Sequence, residues 1–269
     1  MKLLATSVWI VVFLWSPSIH GQDSKPSPDA YRRIAGEIET SLRRDVLEKW
    51  FPAAVDRHGG GFFENFAADW SRGADGERSI VYQSLLTWPS AQAAIRFADD
   101  HEQAEKYLTI TRHGAACLAD KLWDREHGGC FWAVDVAGHP VAPFGGEKHA
   151  YGNAFGIYAA AGSYRATHDA AALELAKNAF HWLDEHAHDA RHGRYFEALT
   201  AEGEPVLAGS ARATDAIGTR YGLKSMNTHI HLLEAFTGLY AVWPDPALRE
   251  RLDELFQIVR DKIYVEPGC

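Results

Sequence analysis

The sequence predicts an all-α protein, a row of helical hairpins that closes into an α/α toroid. The first observation is an internal repeat. The stretches Asp56–Asn65, Asp124–Asp135 and Asp189–Leu199 resemble one another and recur at a period of about 65 to 70 residues. Each opens on Asp, passes through a His-Gly pair and ends in aromatics. The second observation is an alternation of two helix types: a charged segment precedes each stretch, and an apolar, nearly charge-free one follows it. A helix with one polar side lies at a surface, and a helix apolar all round is buried. The third is composition: 46% of the 269 residues are hydrophobic, enough for one sizeable core. The unit is therefore outer helix, short hairpin, inner helix, and the inner helices line a central hollow.

The elements follow in order. One Lys precedes an apolar run from Leu3 to Trp15. This run is short for a membrane span, which needs about 20 residues. Residues 1–21 therefore read as a secretory signal peptide, residues 22–29 as a leader and residues 30–269 as the toroid domain. A periplasmic or secreted location is expected, with no membrane contact after cleavage. The outer helices are Ala30 to Val55, His101 to Trp123 and Ala170 to Ala187; the inner ones are Ile80 to Ile95, His149 to Tyr164 and Met226 to Tyr240. Pro89 is expected to kink the first inner helix or end it early. In the hairpins, glycines permit the tight turn and the aromatic run forms a short strand. The connection from Thr200 to Lys224 has no helical period and reads as a lid or binding loop. Pro246 to Tyr264, with Leu248, Leu252, Leu255 and Val259 at helical spacing, is a fourth outer helix. A fourth hairpin should begin after Tyr264, but the chain reads VEPGC and stops, which reads as a truncated toroid.

Charge and cysteine usage exclude several functions. A net charge of -9 without a basic cluster argues against nucleic acid and anionic membrane. Cys117 and Cys130 read as buried thiols and Cys269 as an odd terminal one, and no paired spacing suggests zinc. Nine Trp, ten Tyr and thirteen Phe serve the core, and several suit the flat walls of a sugar pocket.

The third inner helix carries Asn227-Thr-His-Ile-His-Leu-Leu-Glu-Ala-Phe236. On a helix His229 and His231 stand about 200° apart and cannot serve one site together, which argues against a metal pair. Asn227 and His231 are four apart and share a face; His231 and Glu234 are three apart, so Glu234 can orient the imidazole.

The stretches KHAYGNAFGIYAAAGSYRATHD and KSMNTHIHLLEAFTGLY, with the D-x-x-x-G-G-x-F hairpins, resemble the N-acylglucosamine 2-epimerase superfamily, and NTHIHLLEA resembles its cellobiose 2-epimerase branch. The resemblance implies an (α/α)6 barrel of six helix hairpins, about 400 residues at this period. About the first three and a half hairpins are present here. It implies epimerisation at C2 of a reducing-end aldose through an enediolate, with a small-molecule sugar as partner and no cofactor or metal. By the same resemblance His231 is an auxiliary catalytic group, Asn227, Tyr151 and Glu234 bind substrate, and His149 and Asn153 are weaker pocket candidates. His58, His127 and His192 recur with the repeat and read as structural. The two main proton-transfer histidines belong to later repeats, and Leu85 stands where an S-R-x-x-W pattern would place an arginine. Impaired activity and self-association through exposed helices are therefore expected. The competing readings are a non-catalytic sugar-binding protein and an α/α-toroid glycoside hydrolase; the second needs two facing carboxylates, which no spacing singles out.

Overall fold

A computed structural model describes residues 27–74, 76–207 and 212–264. The expected signal peptide, most of the leader and Cys269 lie outside the described residues. The described chain divides into two units, residues 27–48 and 49–264. The first holds α1 (Pro28–Ser41), capped by the Ser27 hydroxyl, which accepts from the Ala30 N–H, and a π-helical turn at Leu42–Leu47. The segment expected as an outer helix from Ala30 to Val55 is helical throughout 28–54, with that π-helical turn between α1 and the short α2 (Glu48–Ala54).

The second unit alternates as the repeat requires. Outer helices α4 (His101–Cys117), α6 (Ala170–Trp182) and α8 (Pro246–Ile258) form one layer. Inner helices α3 (Ile80–Arg96), α5 (Ala150–Thr167) and α7 (Met226–Tyr240) form the other, with α5 packed between α3 and α7. Each outer helix starts at a capping aspartate: Asp100, Asp169 and Asp245 accept from the N–H groups of Gln103, Ala171 and Ala247. Each ends in a π-helical turn, Leu118–Leu122, Leu183–Ala187 or Val259–Ile263. The helix α3 continues through Pro89 to Arg96, so the proline does not end it. Packing against α4 and α5 holds the segment helical despite the missing N–H. Residues such as Ile157, Phe180, Leu183, Leu232 and Phe236, all fully buried, fill the core between the layers. Among the described residues no helix is long and apolar enough to cross a membrane.

The hairpins repeat atom by atom. Antiparallel bridges join Val55 to Phe62, Trp123 to Cys130 and His188 to Tyr195. The Oδ1 atoms of Asp56, Asp124 and Asp189 each accept two backbone N–H groups of the turn, those two and three residues on. Their other oxygens meet Arg78, Lys148 and Lys224 at 2.6, 2.8 and 2.6 Å. Gly61 and Gly129 have φ near +70°, and a Cβ on Gly129 would stand 2.7 Å from the Trp182 ring. In the third hairpin Arg194 takes the same left-handed conformation, at φ 72°. Two small antiparallel sheets, β1 (Glu77–Ser79) with β2 (Ala133–Asp135) and β3 (Lys148–His149) with β4 (Ala198–Leu199), tie successive hairpins together. His58, His127 and His192 are exposed, and it is their backbone N–H groups that donate to the hairpin aspartates.

Candidate functional site

The inner helices are registered to the hairpins by one buried polar side chain each. Gln83 accepts from the Phe62 N–H at 2.8 Å and donates to its carbonyl. Asn153 does the same for Cys130, at 2.7 and 3.4 Å. His229 Nε2 accepts from the Tyr195 N–H at 3.1 Å, while Nδ1 lies 2.6 Å from the Ser225 carbonyl. That pattern requires the neutral imidazole with its proton on Nδ1, and burial lowers the His229 pKa accordingly. The first histidine of NTHIHLLEAF is therefore a hairpin clamp, the counterpart of Gln83 and Asn153. Asn153 is buried in that role and does not reach the pocket face.

The clamps also align the three inner helices. Two residues before them stand Val81, Tyr151 and Asn227; two after, Leu85, Phe155 and His231; five after, Trp88, Tyr158 and Glu234. Steps of four and three keep each set on one helical face. That stripe carries all four residues singled out for the site. Tyr151 stands beside the Asn227 side chain, and burial pushes its pKa up. The His231 ring stands edge-on to Tyr151 at 5.2 Å and tilted against Phe155 at 4.8 Å. Its Nδ1 lies 2.7 Å from Glu234 Oε2. A carboxylate there fixes the proton on Nδ1 and leaves Nε2 as the basic nitrogen. His231 keeps 27% of its side-chain surface open.

Further along the stripe Trp88 and Tyr158 stack at 4.8 Å with a 17° tilt. They wall a cavity of 370 Å³ with Gln92, Arg165, Glu234 and Thr237. Flat apolar faces beside a few polar groups suit a sugar ring. Leu85 is 44% exposed on this stripe, at the position of Phe155 and His231. It brings neither charge nor a hydrogen-bond donor there.

His149 belongs elsewhere. It ends β3, is buried, and lies among Glu147, Glu197 and Asp215. Glu197 reaches from there to the first turns of both site helices: Oε1 accepts from the Tyr151 N–H at 3.2 Å and Oε2 from the Thr228 hydroxyl. Burial pushes its carboxyl up to about 7. The sequence reading gave Gln83, Glu197 and Asp215 no role. The clamps had a usable signal, one amide or imidazole at matching places in three otherwise apolar helices. The Glu197 cluster had none, because its members are far apart in the chain.

Cys117 and Cys130 are buried and free, and burial raises their thiols to about 11 and about 12.

Comparison with known proteins agrees with this architecture. The family model for N-acylglucosamine 2-epimerase (GlcNAc 2-epimerase) matches residues 60–268. A cellobiose 2-epimerase of Bacteroides fragilis is 29% identical over 227 residues, covering 84% of this chain and 55% of that protein. The solved cellobiose 2-epimerase of Bacillus thermoamylovorans B4167 superposes with a TM-score of 0.75 at 26% identity, over 88% of this chain and 57% of the other. That of Spirochaeta thermophila DSM 6192 gives 0.74 at 30% identity, over 88% and 55%. The chain spans about half the length of the curated relatives it matches.

Proposed function

Because the chain belongs to the N-acylglucosamine 2-epimerase family, we propose that its inner-helix stripe forms one wall of a pocket for the reducing-end residue of a small carbohydrate, a cellobiose-type disaccharide first among candidates. The observation that carries this reading is the His231–Glu234 pair, held at 2.7 Å beside Tyr151 and Asn227.

An aldose must open before its C2 proton becomes acidic. In that step the anomeric hydroxyl loses a proton, the bond from C1 to the ring oxygen breaks, and the ring oxygen gains a proton. His231 Nε2 takes the first proton, and the imidazolium, stabilised by Glu234, returns it. Asn227 and the Tyr151 hydroxyl hold sugar hydroxyls during the exchange. The next step removes the C2 proton and builds negative charge on an enediolate. Leu85 supplies nothing to that charge, and a missing donor at such a place costs on the order of 3 kcal/mol of barrier. The reading is therefore binding and ring opening by this chain, without epimerisation.

Calorimetry with cellobiose, mannose and N-acetylglucosamine tests the first part. Millimolar binding that disappears in Asn227→Ala and His231→Ala is expected, and no binding of any of the three would sink the pocket. Proton NMR in deuterated water tests the second part. Faster anomer exchange with no deuterium at C2 is expected; deuterium at C2 would overturn the claim that the chain does not epimerise. We further propose export by a signal peptide over residues 1–21, to be checked by N-terminal sequencing of the exported protein.

A further inference from the structure

We infer that His149, Glu197 and Asp215 form a binding site for one divalent transition cation of the zinc type. The inference is independent of the proposed sugar chemistry. His149 ends β3, Glu197 precedes β4, and Asp215 lies in the connection from Thr200 to Lys224. One ligand atom from each lies within 4.8 Å of the others. All three are buried, at 1%, 2% and 5% exposure.

Two observations point to a cation. The first is charge. The hairpin carboxylates Asp56, Asp124 and Asp189 each meet a permanent cation, and Glu147 meets Arg212. Among the described residues Glu197 and Asp215 meet no lysine or arginine; both face His149. Buried carboxylates without a permanent cation are neutralised by a proton or by a metal ion. The second is unmet bonding. Neither ring nitrogen of His149 has a hydrogen-bond partner, and neither does Asp215 Oδ2. Glu147 Oε1 stands 3.2 Å from His149 Nε2, an ion-pair distance out of line for a hydrogen bond.

The donor set selects the ion. An imidazole with two carboxylates suits zinc, whereas calcium and magnesium take six or more oxygens. Zinc with bonds near 2.1 Å in a tetrahedron has ligand atoms about 3.4 Å apart. His149 Nδ1 and Glu197 Oε1 are 3.8 Å apart, so a few tenths of an ångström of closure completes that edge. A cation here would fasten the connection to the start of α5, two residues from Tyr151, without touching the sugar.

The test uses the whole chain, freed of metal with EDTA and titrated with zinc chloride, with calcium chloride as control. Calorimetry should find one zinc per chain and no calcium. Thermal unfolding should shift up by several degrees in saturating zinc. Asp215→Asn, which keeps the side-chain shape, should weaken zinc at least tenfold and abolish the shift. His149→Gln should do the same, and X-ray absorption should show nitrogen and oxygen ligands only. A wild-type midpoint indifferent to zinc would overturn the site and leave a proton as the shared cation. So would zinc binding unchanged in both variants, which marks surface histidines, or sulfur in the zinc shell.

Discussion

At the scale of single residues, the two histidines of NTHIHLLEAF make opposite predictions. His229 satisfies the buried Tyr195 N–H and meets the half-buried Ser225 carbonyl. His229→Ala strands the Tyr195 N–H, while the Ser225 carbonyl keeps the backbone N–H of residue 229, and it leaves a cavity, so unfolding free energy should fall by about 2 to 4 kcal/mol in urea titrations. His231→Ala removes a half-open side chain and should cost less than about 1 kcal/mol. Equal losses from the two would contradict the division between clamp and ligand group. The clamp also predicts a pH dependence. Burial lowers the folded-state pKa of His229 below its unfolded value near 6.5, so the unfolded chain binds the proton first. The stability that neutral His229 supports is whole above about pH 6.5 and is lost as pH falls through the folded pKa. Gln83 shows that a glutamine can fill the same office. His229→Gln should therefore flatten the stability profile below pH 6.5 while keeping most of the stability at pH 8. An unchanged profile would mean that another group titrates there.

At the scale of the element, the hairpin is a turn closed by an aspartate and locked by a distant cation. Lys148 and Arg78 are fully buried, and each meets a hairpin carboxylate as well as backbone carbonyls, Gly128 and Ala201 for Lys148, Gly60 and Glu77 for Arg78. Lys148→Met leaves Asp124 buried without its charge partner and should cost about 3 to 5 kcal/mol. Adding Asp124→Asn should recover part of that loss, because the stranded charge goes with it. Urea midpoints of the two single variants and the double one measure the coupling; strict additivity would show that the pair does not interact. This half of the hairpin was not legible in the sequence. The turn itself was, since Asp, the His-Gly pair and the aromatics are contiguous and recur. The cation lies 22 to 35 residues further on, at a spacing that changes each time and as either Arg or Lys: Arg78, Lys148 and Lys224. Helix positions were legible for a related reason, since alternation of charged and apolar segments reports burial directly. The π-helical turn at Leu42–Leu47 was not, because nothing in LRRDVL departs from α-helical periodicity. His231, Asn227 and Glu234 could be grouped from spacing along one helix. Their meeting with Tyr151 needed the resemblance, because it depends on how α5 packs against α7.

At the scale of the whole molecule, an inner helix in this architecture has one face for its outer partner, two flanks for inner neighbours and one face for the hollow. The hollow face of α5 and α7 carries Tyr151, Asn227, His231 and Glu234, which tolerate water. That of α3 carries Val81, Leu85 and Trp88, which do not. Leu85 is 44% exposed. Apolar side chains grouped on a face that water reaches favour association. The chain produced alone should therefore self-associate at micromolar concentration in sedimentation velocity, and bind a dye that reports apolar surface. Leu85→Gln removes apolar contact without adding charge, and it should shift the distribution towards monomer. It should also leave the urea midpoint nearly unchanged, because the residue is not part of the core. A monodisperse monomer at high concentration would show that the stripe is covered within one chain. Association unchanged by Leu85→Gln would move the contact to another surface. Saturating cellobiose separates the two roles of the stripe: if sugar occupies the same face, it should dissolve the association in parallel with its own binding curve, since both compete for the surface between α3 and α7.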